Sequence, residues 1–549
     1  MSRANDPVTE LLSEAVRHLN GGDWPLARDR LQQVLRIDPG HAVAAYLLGV
    51  GEFRQGRWRE AESLFRQALL ADSAPPRVGL HLACAVQAQG RFAESEQLLR
   101  GVPVEGLGSG EQAAWCHRMG RALKHQRRHA EALEYLERAC RAAPQDREIA
   151  LDLAVLLQHL RRYDDAVAVL ERLIERDALD MEAHLQLNEL LYRQGRDAAF
   201  LLSYDRAAAR TPQAASLLGA KGRFLLKAGR AAEALAAFDG ALALRQSDAG
   251  AMAGRGRALE ALGEIAGAAA AHEASILAHP EDCDSQIDAA AFLLRRQQPA
   301  RSKAILLQVL RSRPADQAAL SLLCLCHRAL GESREEESLA GYEDLIACYD
   351  LPPPAGYATM ADFNRELAAY LEPLHDDRRE HCTQTLRGGT RLYDEVFDNG
   401  HELVDRLRPG IDAAVAHYIA HLRAGDRHPF LSRRAARFHY VSSWSSRLRD
   451  RGFHRNHVHA QGWISSAYYV SVPQACADTR KREGWLKFGE PEDFGPGFPP
   501  RRYVQPVPGR LVLFPSYLWH GTVPFESAQT RVTIAFDVAP LGAPAEAPP

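Results

Sequence analysis

Long apolar runs are missing from this chain of 549 residues, and so is any imbalance of charge. No stretch reaches the roughly 18 apolar residues that a membrane-crossing helix needs, so none is expected. The opening MSRANDPVTELLSEA holds no apolar core of a secretory signal, which leads to the expectation of a cytoplasmic protein. Lys and Arg number 67 against 70 Asp and Glu, a net charge of -3. That balance gives no general field for nucleic acid or for a membrane surface. The 9 cysteines are scattered, with no Cys-x-x-Cys pair, and Cys324 and Cys326 stand too close for a zinc knuckle. A disulfide framework is therefore excluded, and reduced thiols are expected. The length itself is too great for one core, so two or more domains are expected.

What the chain has in quantity is period. Gly22, Gly56 and Gly90 stand 34 residues apart; Gly195, Gly229 and Gly263 resume that interval, and Gly331 lies 68 further on. Arg127 and Arg161 hold the same turn position, and the one irregular step, 37 residues from 90 to 127, crosses the glycine-rich GVPVEGLGSG. Pro144, Pro212, Pro280 and Pro314 follow at intervals of 68, 68 and 34. A fixed period of about 34 marks stacked helix–turn–helix units. Glycine takes the positive φ that ends the first helix of a pair. Alanine-rich amphipathic runs such as GRAAEALAAFDGAL bring the two helices close, and proline closes the unit because it cannot continue a helix. The pattern resembles the tetratricopeptide repeat, about ten units from residue 8 to roughly 345. Each unit of such a solenoid packs only on its neighbours, and its residues are expected to serve packing rather than catalysis. Its concave face suits an extended protein or peptide segment.

The texture changes near residue 349. We expect a solenoid over 1–345, a proline-rich linker over 346–358 at the break YDLPPPAGYATM (349–360), and a second domain over 359–549. Helices are predicted over 360–375 and 401–422, with Pro409 near a boundary or kink. Beyond residue 430, β-branched and aromatic runs take over: ARFHYVSSW, WISSAYYVSV, RYVQPV, RLVLFP and RVTIAFDV, separated by Gly, Pro and charged loops. They predict a mostly antiparallel β domain, a jelly roll or barrel, preceded by supporting helices.

The chemistry concentrates there. In GFHRNHVHAQGWISSAYYVSVP, His457 and His459 are two apart, so in an extended strand both imidazoles share a face and converge on one ion. His520 ends the strand RLVLFPSYLWHG 61 residues later, and Arg531 follows after 11 more. An isolated H-x-H says little; this order of strand, loop, strand-end histidine and next-strand arginine says more. Alternation places His454 off the 457/459 face, in a structural role. Trp463, Trp485 and Trp519 read as core. The basic RREHCTQTLRGGTR reads as a solvated loop, with a place beside the substrate as the other reading.

Four stretches, LRGGT (386–390), GFHRNHVHAQGWISSAYYV, PGRLVLFPSYLWHGTVP and RVTIAF, resemble the double-stranded β-helix oxygenases that use iron(II) and 2-oxoglutarate, in particular the prolyl-hydroxylase-like family found fused to tetratricopeptide repeats. The resemblance covers roughly 350–540. It implies Fe(II) held by His457, His459 and His520, and 2-oxoglutarate held by Arg531, Thr533 and Tyr469. The usual iron triad is two histidines and a carboxylate, and His459 stands in the carboxylate place. Three readings are open: a three-histidine centre, ligation by His457 and His520 with His459 behind them, or a site that has lost catalysis. Two function classes follow. One is a dioxygenase hydroxylating a protein or peptide side chain recruited by the repeats. The other is a non-catalytic interaction scaffold whose oxygenase-like domain is inactive or only binds metal.

Overall fold

The structure is a computed structural model that describes residues 7–541, apart from 72–76, 127, 212, 376–383, 393–395, 399–400, 424, 426 and 436. It divides into two compact units, Met1–Leu173 and Ile174–Pro549. The first is built of helix pairs, from Pro7–Asn20 with Trp24–Ile37 through Arg147–His159 with Tyr163–Arg176. The second opens with further pairs, from Met181–Arg193 with Leu202–Arg210 through Gln317–Ala329 with Ser333–Ala340. Among the described residues this makes ten pairs, the tetratricopeptide-like array expected from the period.

The turn inside each pair carries the 34-residue register. Gly22, Gly56, Gly90, Gly195, Gly229, Gly263 and Gly331 have φ between +67° and +81°. A Cβ at any of them would meet nothing within 4 Å, so glycine serves here for its backbone and not for room. Arg161 takes the same left-handed turn at φ +58°, and Gln297, at +59°, supplies the step between Gly263 and Gly331. Arg127 and Pro212 lie outside the described residues. A second ruler becomes visible in the structure: Asp146, Asp180, Asp248, Asp282 and Asp316 each cap a first helix, accepting a hydrogen bond from the backbone N–H three residues on. Between helices, close packing takes over. The buried ring of Phe238 lies against Gly222 and Gly254, where a Cβ would come within 2.8 and 2.4 Å of it.

The rest of the second unit is a jelly roll with supporting helices. Its strands are β1 (Ala347–Asp350), β2 (Leu386–Arg391), β3 (Arg437–His454), β4 (Ile464–Ser471), β5 (Leu486–Phe488), β6 (Arg502–Val504), β7 (Arg510–Pro515), β8 (His520–Thr522) and β9 (Arg531–Leu541). One sheet runs β1-β7-β4-β9-β3-β2 and the other β6-β5-β8, with every pairing antiparallel. The helices Met360–Leu371 and Glu402–His421 bring Phe363, Leu367, Val404 and Ile411 into the core under the larger sheet. Pro409 sits within the second helix rather than at its end.

The stretch expected as a linker begins with structure: β1 pairs with β7, Ala347 opposite Leu513, and Leu351 N–H donates to Gly509 O at 3.0 Å. The last repeats belong to the same core as the strands. Leu320, Leu323 and Tyr342 pack in one cluster with Phe514 and Tyr517. Tyr517 Oη donates to Leu339 O and Tyr418 Oη to Leu345 O, each at 2.7 Å. Buried Glu336 takes both Nε (3.1 Å) and Nη2 (2.7 Å) of Arg501, and Arg328 Nη1 donates to Gly489 O at 2.8 Å.

Candidate metal centre

β3 ends at His454, and the chain then leaves the strand. His457 forms an isolated bridge with His520, its N–H donating to His520 O at 2.8 Å and receiving the reverse bond at 3.0 Å. Gly521 is required for this approach, since a Cβ there would lie 2.2 Å from Asn456 Oδ1. His459 is anchored through its N–H to Ser516 O at 2.9 Å. The result brings His457, His459 and His520 together, with ligand atoms all within 4.8 Å of one another.

Each ring is fixed from behind. His457 Nδ1 lies 2.8 Å from Arg455 O, and His520 Nδ1 lies 2.9 Å from Leu518 O. His459 Nδ1 lies 2.7 and 2.8 Å from the two oxygens of Asp537. All these partners accept, so in each neutral ring the proton belongs on Nδ1 and the lone pair on Nε2. His457 Nε2 and His459 Nε2 then face each other at 3.1 Å, a pair of lone pairs that only a shared cation or proton relieves. Burial, and after it the neighbouring His459, pushes His457 down to about 3. Burial and then His457 hold His520 well below the usual imidazole range. Neutral nitrogens converging in this way suit a divalent transition metal.

The second half of the site lies on β9. Arg531, Thr533, Ala535 and Asp537 alternate along it and line one cavity of about 570 Å³ with the three histidines. Arg531 is 2% exposed, and among the described residues its Nε and Nη1 have no hydrogen-bond partner. Its guanidinium lies 5.1 Å from the ring centre of Tyr469, and no described residue sits within hydrogen-bond geometry of the buried Tyr469 Oη. Thr533 is buried opposite Tyr469 across the β4–β9 pairing. A buried cation with no counter-charge among the described residues calls for an anion, and a guanidinium fork suits a carboxylate.

His454 departs from its expected place off the 457/459 face. It lines the cavity, its ring 6.3 Å from that of His457, because residues 455–459 do not continue the strand and alternation no longer applies. The basic loop behaves similarly: Gln384, Thr385, Leu386 and Arg391 line the cavity, whereas 378–383 lie outside the described residues. Trp463 and Trp485 are held in the fold, their ring N–H groups donating to Phe430 O and Cys476 O. Trp519 packs edge-on against Phe494. Trp444, Lys227 and Asp537 are among the lining residues that escaped the sequence reading. The Trp444 ring centre lies 5.4 Å from that of His459, and the Arg391 guanidinium lies over the Trp444 ring at 4.2 Å. Lys227 comes from the repeat helix Ala215–Lys227. Asp537 had a visible signal, since Arg-x-Thr-x-Ala-x-Asp repeats with period two from 531 to 537. A second group of possible ligands, His117, Glu148 and Asp152, is already served by Arg121, 2.8 Å from Glu148 and 3.6 Å from Asp152.

The family described as "Putative 2OG-Fe(II) oxygenase" matches residues 442–537. Two tetratricopeptide-repeat families match 123–188 and, separately, 12–78, 48–114 and 220–282. No curated protein matches the chain. Among solved structures, a tetratricopeptide repeat protein from Parabacteroides merdae ATCC 43184 is 16% identical over 46% of this chain and 99% of its own, with a TM-score of 0.33. Yeast Tom70 is 12% identical over 60% and 96%, with a TM-score of 0.31. PilF of Pseudomonas aeruginosa is 22% identical over 38% and 92%, with a TM-score of 0.33.

Proposed function

From a chain that carries tetratricopeptide repeats and a domain of the 2OG-Fe(II) oxygenase family, we propose a 2-oxoglutarate- and Fe(II)-dependent dioxygenase that hydroxylates a protein or peptide side chain recruited by the repeats. The observation that carries this reading is the pairing of three converging imidazole lone pairs with a buried guanidinium that has no counter-charge among the described residues, in one cavity. His457, His459 and His520 would hold Fe(II), and Arg531, Thr533 and Tyr469 would hold the far carboxylate of 2-oxoglutarate. Bound together, these two would supply the oxidising chemistry, with succinate as the co-product.

The chain's own residues supply order. The hydrogen bonds at the three Nδ1 atoms keep the Nε2 lone pairs aimed inward before any ion arrives. Arg531 gives a carboxylate two parallel donors and so fixes its orientation. Trp444, Leu486 and Phe514 provide apolar walls that limit water. Recruitment by the repeats is supported by Lys227, a repeat residue lining the same cavity. The test is succinate formation from 2-oxoglutarate by purified protein with Fe(II), with and without cell extract. Turnover that rises with extract supports the reading. No turnover, with no saturable metal-to-ligand absorption band on adding 2-oxoglutarate, leaves the interaction scaffold.

A further inference from the structure

His459 stands where the usual triad has a carboxylate, and the charge has not left the site. It lies one hydrogen bond further back. Asp537 is 6% exposed and meets His459 Nδ1 with both oxygens, at 2.7 and 2.8 Å. Ser465 Oγ donates to Asp537 Oδ1 at 2.6 Å and lies 2.8 Å from Ser516 Oγ. Ser516 O in turn holds the backbone N–H of His459 at 2.9 Å. Among the described residues Asp537 forms no ion pair except with His459.

We infer that Asp537 is a positioning residue that makes His459 a metal ligand, by fixing its tautomer and supplying the negative charge that a directly bound carboxylate would have brought. The inference rests on the metal-centre reading above. A ring held only by its strand can flip or present Nδ1; a carboxylate gripping Nδ1–H leaves only Nε2 facing the ion. It also makes His459 a stronger donor than His457 and His520, whose Nδ1–H groups go to neutral backbone carbonyls. The placement follows from β9: Asp537 shares a face with Arg531 and Thr533, so one strand serves both the metal end and the carboxylate end of the cavity.

Asp537→Asn keeps the shape and an accepting oxygen but removes the charge. The probe is Co(II), titrated into metal-free full-length protein and followed by its visible absorption. The variant is expected to bind about ten- to hundredfold more weakly than the parent. At saturating Co(II), three exchangeable, hyperfine-shifted ring N–H resonances are expected from the parent. In the variant one should move and two should stay. Unchanged affinity, or a shift of all three resonances together, overturns the assignment to Asp537 while leaving the metal centre standing. Failure of the parent itself to bind Co(II) overturns the metal centre and this role with it.

Discussion

Arg531 separates the two halves of the site, because it touches the cavity without belonging to the histidine cluster. Losing one charged partner of a buried pair costs about 2–5 kcal/mol, so Arg531→Ala should weaken 2-oxoglutarate at least about thirtyfold. Metal binding should persist, and the absorption band of the iron-loaded protein would report both. The buried histidines make a second expectation. His457 is held at about 3 and His272 at about 4, and burial holds His454 and His520 well down too. Unfolded histidine titrates near 6.5. The unfolded chain therefore takes up protons first as pH falls, so stability is full above about 6.5 and declines below it, through the folded values. Melting of the metal-free protein should drop between pH 7 and 5; a flat profile would mean these rings are not buried neutral. His457, His459, His520 and Arg531 were legible from the order of the motifs, although His520 opens β8 in the smaller sheet instead of ending, as expected, the strand that holds RLVLFP. Asp537 carried only the period-two signal of Arg531, Thr533, Ala535 and Asp537, and nothing in the sequence showed that it reaches His459. Trp444 and Lys227 reach the site only through tertiary packing, which no local pattern records.

At the level of elements, two glycines nine positions apart do different jobs, and one experiment tells them apart. Gly263→Ala places a side chain in open space but at φ +81°, and should cost about 1–2 kcal/mol from backbone strain alone. Gly254→Ala keeps helical backbone but drives a methyl to 2.4 Å from Phe238, which should cost about 1–3 kcal/mol of overpacking. Phe238→Leu should relieve the second variant and leave the first unimproved in thermal denaturation. The repeat helices were readable because one period is stated ten times over. Gln297 was passed over because nothing but its place in that register marks it as a turn residue. β3, β4, β7 and β9 announced themselves by β-branched and aromatic runs. The three-residue β6 fell within the run RYVQPV, whereas the similarly short β1, β5 and β8 lie in no such run.

For the second unit as a whole, the shared core means the strands are not self-sufficient. A fragment spanning 359–549 lacks β1, the acceptors of Tyr517 and Tyr418, and the partner of Arg501. Each buried donor left unpaired costs about 1–3 kcal/mol, against a total stability on the order of 5–15 kcal/mol. That fragment should show no cooperative melting by circular dichroism, whereas 174–549 should melt in one step. A cooperative transition in the shorter piece would place the core boundary elsewhere. The β1–β7 pairing also sets a clock on synthesis. Ala347 leaves the ribosome 166 residues before its partner Leu513. At about 5–20 residues per second, β1 waits roughly 8–33 s for the strand it must join. Through that interval Leu320, Leu323 and Ile346 have no β7 or Tyr517 to cover them, so the nascent chain is most exposed to holding chaperones just as its final third is being made.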